Sequence, residues 1–185
     1  MSDTEKLYLL YTEEVRTGQL NQDLSFSVSL CSNSALLKDL QSDMKSFNSQ
    51  SKFKFILKDS KNILFRIDED LLRLCFSSLL KWISFSVLPE SSVEVYSSYS
   101  DDTLLFGLKL PETTATGVID LTINSENTQD TSSEIFQYLR LFLNSFALLE
   151  NCFGLKKKFD QSENHLVFTL PVKNSPVDGH HSKIW

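Results

Sequence analysis

Histidine and cysteine are scarce in this 185-residue chain, three of each, and that scarcity removes several chemistries at once. Cys31, Cys75 and Cys152 are too few and too far apart for a disulfide framework or a zinc site, which needs closely spaced ligands. They are expected as small core residues of a protein in a reducing cytosol. His165 and the pair His180 and His181 offer no metal-ligand spacing. No nucleophile motif and no glycine-rich loop after a strand is present. Basic charge is also short, with 18 Lys and Arg against 24 Asp and Glu and a formal net charge of −6. That balance opposes a phosphate backbone, whose binding is built on Lys and Arg, so nucleic acid is not an expected partner. The main basic run, the three lysines at 156–158, reads as a solvated strand edge that discourages edge-to-edge pairing. Long apolar runs are missing too. None approaches the roughly 18 to 20 residues of a membrane span, so membrane insertion is not expected and the predicted location is cytoplasmic.

What the chain does have is core: 41% hydrophobic residues, fourteen of them Phe, enough for one domain. The strongest pattern is residues 68–86, D-E-D-L-L-R-L-C-F-S-S-L-L-K-W-I-S-F-S, in which Leu72, Phe76, Leu79 and Ile83 recur at helical spacing. Asp68 is its natural N-cap, and Glu69 and Asp70 suit the positive end of the helix dipole. Ahead of it, residues 3–16 place Leu7, Leu10, Tyr11 and Val15 on one face of a short helix ending near Gly18. That face either docks on its own domain or serves a dimer or partner contact. Residues 24–31 alternate with period two, predicting a strand with Leu24, Phe26, Val28 and Leu30 inward. Leu36, Leu37, Leu40, Met44 and Phe47 trace a second helix, with Asn33 and Ser34 as cap candidates. Residues 52–58 and 62–67 form two strands around the turn at 59–61, and residues 93–99 and 104–110 a hairpin around Asp101 and Asp102.

Residues 111–131 are polar at both ends with room for one short strand. Thr131 and Glu134 have capping-box spacing and open a helix through Ile135, Leu139, Phe142, Phe146 and Leu149. The stripe runs to Glu150, and Gly154 follows the helix end by a few residues. Strands at about 154–159 and 165–172 close the domain. The expected architecture is α+β, a two-layer α/β sandwich with a mixed, mostly antiparallel sheet and three helices on one face. Residues 1–23 form an N-terminal helical extension, 24–172 the domain, and 173–185 a tail expected to be mobile.

This order resembles the ATP-binding catalytic domain of sensor histidine kinases, a GHKL-type ATPase fold shared with gyrase-type and heat-shock ATPases. The resemblance covers roughly residues 24–172. It is carried by R-I-D-E-D-L-L-R-L-C-F-S-S-L-L-K-W-I-S-F-S at 66–86, similar to the family's asparagine-box helix, and by N-H-L-V-F-T-L-P-V at 164–172, similar to its closing strand. Residues 36–47 match its first helix in pattern and position, and 139–154 the helix and turn that lead into its last hairpin.

The resemblance also implies a nucleotide site, and there the residues depart from it. The family's magnesium-coordinating Asn falls at Lys81 and an earlier Asn of the same box at Ser77. A lysine ammonium has no lone pair for a metal. Where an adenine-reading Asp and glycines are implied, the chain reads L-K-L-P-E-T-T-A-T-G, leaving Glu112 and Gly117 as remnants. The second glycine box falls near Leu139 and Leu141, where leucine favours an unbroken helix without a phosphate-binding N-terminus. No His sits on the N-terminal helix to accept a phosphoryl group.

The resemblance with these departures implies a non-catalytic, pseudokinase-like protein-binding module in two-component or related signalling, with no catalytic residue and no cofactor or metal. Its partner would be a sensor kinase, a response regulator or a sigma-type factor, and the face of Leu7, Leu10 and Tyr11 would serve that contact or a homodimer. The alternative is a divergent ATP-binding kinase domain, of the sensor-kinase or anti-sigma serine kinase type, in which Lys81 replaces magnesium in neutralising phosphate. A phosphotransfer protein with a helical-hairpin dimer is disfavoured, because residues 1–23 hold at most one helix and no His.

Overall fold

The computed structural model describes residues 1–16, 26–47, 52–57, 62–112, 114, 133–160 and 162–172. Along them run α1 (Asp3–Arg16), β1 (Val28–Ser32), α2 (Asn33–Ser46), β2 (Lys52–Leu57), β3 (Leu64–Asp68) and α3 (Glu69–Ser86). Then come β4 (Ser92–Ser100), β5 (Thr103–Lys109), α4 (Glu134–Phe153), β6 (Lys156–Asp160) and β7 (His165–Pro171). A five-stranded sheet has the order β2-β4-β5-β7-β6, with β2 parallel to β4 and every other pairing antiparallel. β1 and β3 form a separate antiparallel pair.

The apolar stripes explain the layering. Leu72, Phe76, Leu79 and Ile83 of α3 are all buried, and each such side chain contributes roughly 1.5–3 kcal/mol. Phe76 meets the sheet through Phe106 and Phe168, both at 5.1 Å between ring centroids, and Phe142 of α4 meets Phe168 at 6.1 Å. Asp68 caps α3 as expected, its Oδ1 accepting from the Leu71 amide at 3.0 Å. Its Oδ2 accepts from the Ser27 amide at 3.0 Å, which ties the entry of β1 to the start of α3. Gly154 ends α4 in the left-handed conformation at φ 74°. Asp101 and Asp102, at φ 50° and 56°, make the two-residue turn of the β4–β5 hairpin, where the twist of the strands favours such angles.

Several sequence expectations fail in instructive ways. β1 does not bury the expected face: Val28 and Leu30 are 50% and 60% exposed, Ser29 is exposed as well, and Cys31 alone is buried, opposite Phe65. The reason is that Ser32 must cap α2, its hydroxyl accepting from the Ala35 amide at 3.1 Å, and this sets the pleat one residue out of the expected phase. Asn33 is therefore not the cap. It is buried, accepting from the Ile63 amide at 2.9 Å and donating to Ser97 Oγ at 3.3 Å. β2 and β3 do not form a hairpin, since β2 pairs with β4 and β3 with β1. α4 starts one residue after an N-cap at Ser133, two beyond the proposed Thr131, and runs on to Phe153.

Lys157 does not join a wholly solvated edge. It alternates inward from β6, its ammonium 4.7 Å from the Phe146 centroid, and burial pushes its pKa down. Cys152 is exposed, unlike Cys31 and Cys75. Leu24, Gly18, Gly117, the turn at 59–61, Thr131, His180, His181 and the tail lie outside the described residues. Among the described residues, no helix is long and apolar enough to cross a membrane.

Candidate functional site

Ser77 and Lys81 stand one turn apart on the same face of α3, the spacing that stacks side chains on a helix. Ser77 is buried. Lys81 reaches across to α1 and forms an ion pair with Glu5, the side chains of both being only 13% exposed. Its ammonium also lies 5.3 Å from the Phe47 centroid and 5.4 Å from the Tyr138 centroid. Those two rings meet edge to face at 5.7 Å, so the cation is held between aromatic faces and a carboxylate.

Glu5 arrives there because of how α1 begins. Ser2 and Glu5 make a capping box: Glu5 N–H donates to Ser2 Oγ at 3.2 Å, and Ser2 N–H donates to Glu5 Oε2 at 2.8 Å. One carboxylate oxygen closes the helix start while the other faces Lys81. Burial pushes the Glu5 carboxyl up, but hydrogen bonds from Lys81 and Ser2 and the Lys81 charge outweigh it and hold the group below its ordinary range. Tyr138 is pushed up to about 12 by burial and by the Glu5 charge.

Beside this pair is a cavity of about 330 Å³, lined in part by Lys81, Glu5, Asp43 and Ser46. Asp43 is itself held by Arg73, whose Nε and Nη2 donate to its two oxygens at 3.0 and 2.6 Å, joining α2 to α3. α1 is held over this region by buried Leu9 and Thr12 and by an ion pair between Glu13 and Arg140 of α4.

The other proposed positions lie as follows. Leu139 and Leu141 are fully buried inside α4, which is continuous from Glu134 through both of them, so no helix N-terminus opens there. Glu112 is exposed and does not line the cavity beside Lys81. Its turn is fixed by Asn164 Nδ2, which donates to the carbonyls of Leu110 and Pro111 at 3.0 and 2.7 Å. His165 stands on β7, not on a helix, with Nδ1 3.4 Å from both Tyr96 Oη and a Glu163 oxygen. Tyr96 itself fills the space where a side chain at Gly107 would stand. Among the described residues no group of three or more His, Cys, Asp or Glu is placed to hold a metal.

Of the two roles left open for the Leu7, Leu10 and Tyr11 face, docking on its own domain is not the one found. Leu9 and Thr12 turn inward, whereas Leu7, Leu10 and Tyr11 are 68%, 59% and 42% exposed. Sequence reading missed Glu5 altogether. The signal was present as Ser2 and Glu5 at capping-box spacing, which fixes where the helix starts and so which residues face inward.

No protein-family model matches the sequence, and no curated protein matches it. Solved structures do match. The histidine kinase AdeS of Acinetobacter baumannii superposes with a TM-score of 0.57 at 9% identity, covering 91% of this chain and 76% of its own. The cytoplasmic segment of histidine kinase QseC matches with a TM-score of 0.55 at 12% identity, over 94% of this chain and 96% of that one. The catalytic domain of histidine kinase ThkA matches with a TM-score of 0.53 at 12% identity, over 79% and 97%. At such identities the likeness speaks for the fold alone. Together with the element order, the asparagine-box-like α3 and the closing β6–β7 hairpin, it gives this chain the fold of a histidine kinase catalytic domain.

Proposed function

We propose that this chain is a kinase-like module that has given up nucleotide use and acts by binding another protein in two-component or related signalling. The observation that carries this reading is the Glu5–Lys81 pair. At Lys81, where the sequence resemblance puts a magnesium-binding Asn, this chain has an ammonium paired with Glu5 of its own first helix and lying near the Phe47 and Tyr138 rings. The residues present do not fit a magnesium nucleotide. Lys81 offers no lone pair and its charge is already met by Glu5, and α4 offers no N-terminus at Leu139.

Calorimetric titration of the full chain with magnesium-ATP is expected to show no saturable binding; a micromolar Kd overturns the reading. The cavity of about 330 Å³ beside Lys81 favours one competitor, a divergent ATP-binding kinase domain in which Lys81 neutralises phosphate. That competitor requires nucleotide binding that disappears in Lys81→Ala. Protein partners of the proposed module belong to the classes such signalling uses: a sensor kinase, a response regulator or a sigma-type factor.

A further inference from the structure

On the side of α1 away from the Lys81 cavity, the chain has a second concavity of about 600 Å³. Leu7, Leu10 and Tyr11 of α1 form one wall, with Phe26, Leu71 and Leu148 also lining it. Its volume falls in the range that holds a few large side chains of a partner. Its charge is one-sided. Glu14, Asp68 and Asp70 line it, and no Lys, Arg or His is among its described lining residues. The field of Asp70 and Asp68 is felt inside it, since both charges add to burial in pushing the Tyr8 hydroxyl up. Leu7, Leu10, Tyr11 and Glu14 follow the i, i+3, i+4, i+7 spacing of a helix stripe, three of them large and exposed.

We infer that this groove is the docking site for a basic amphipathic helix of a partner protein. The partner's apolar stripe would lie along Leu7, Leu10 and Tyr11, and flanking Lys or Arg residues would face Asp70. A helix matches because the open stripe on α1 is itself helical and ridge-into-groove packing needs the same period on both sides. A second copy of this chain does not match. Its own groove is lined by Glu14, Asp68 and Asp70, and pairing two copies through it would bring carboxylates to carboxylates. An anionic lipid surface is repelled for the same reason. This inference rests on the protein-binding reading above and gives it a location and a chemistry.

The test is selection of helical peptides, displayed with a constant Leu stripe and a random choice of Lys or Glu at the flanking positions, on the full chain as bait. The enriched pool is expected to be strongly Lys-biased. A representative peptide should lose about tenfold or more in affinity for Leu10→Lys, which keeps helix propensity and introduces a like charge. It should lose about threefold for Asp70→Asn, with thermal midpoints of both variants near that of the parent. A pool without charge bias, absence of enrichment, or equal affinity for Leu10→Lys overturns the inference. Failure here is distinct from failure of the module reading. Peptides that bind but ignore both variants remove the groove and leave the module; magnesium-ATP binding alongside groove-dependent peptide binding does the reverse.

Discussion

α1 separates two concavities of opposite character. On one side Lys81 is enclosed, its charge cancelled by Glu5 and its other faces covered by Phe47 and Tyr138. On the other, Leu7, Leu10 and Tyr11 stay in solvent beside carboxylates, with no cation among the described lining residues. The same helix thus completes the domain with its inner face and leaves its outer face unfinished. Changes on the inner face should therefore appear as lost stability, and changes on the outer face as lost binding.

The largest effect should come from Glu5→Ala. It strands a mostly buried ammonium and removes half of a capping box, for a loss of about 2–3 kcal/mol in urea unfolding. Adding Lys81→Met should recover most of it, because the uncompensated charge is then gone. A loss below about 0.5 kcal/mol would mean that the pair is solvated and the contrast between the two sides false.

Acid should act on the same pair. Because the folded-state pKa of Glu5 is held below its ordinary 4.5, its contribution is present above that pH and fades as pH falls toward the folded value. Comparing parent and Glu5→Gln, the stability difference should shrink on acidification below pH 4.5. A difference that grows instead contradicts the assignment. Arg140→Ala, which releases Glu13 at a more exposed position, should cost about 1 kcal/mol. Smallest of all, Leu7→Ser combined with Leu10→Lys should stay within about 0.5 kcal/mol of the parent in urea unfolding, as expected for exposed positions. A larger loss would place this face in the core.

The parts of the fold that could be read from sequence were those governed by local physics. The α3 stripe and its Asp68 cap and the Asp101–Asp102 hairpin each follow from a few adjacent residues and are found as expected, whereas the last helix runs three residues past the expected Glu150, directly to Gly154. The β1 pleat was not legible, because its side chains alternate apolar and small polar residues and either face can be buried; the choice was made by pairing with β3 and by the Ser32 cap. The parallel β2–β4 pairing was hidden for a similar reason: two nearby strands look like a hairpin unless long-range pairing intervenes. At the site, Ser77 and Lys81 could be placed on one helix face from their spacing. That Glu5 would meet Lys81 could not, since the contact joins residues 76 positions apart and depends on how α1 docks.

The most direct measurement is backbone and side-chain NMR of the full chain during addition of magnesium-ATP. With Lys81 closed by Glu5 and α4 unbroken at Leu139, resonances of Ser77, Lys81, Tyr138 and Leu139 should stay unmoved throughout the titration. Saturable shifts at those four residues, with loss of the Glu5–Lys81 contact, would contradict the account.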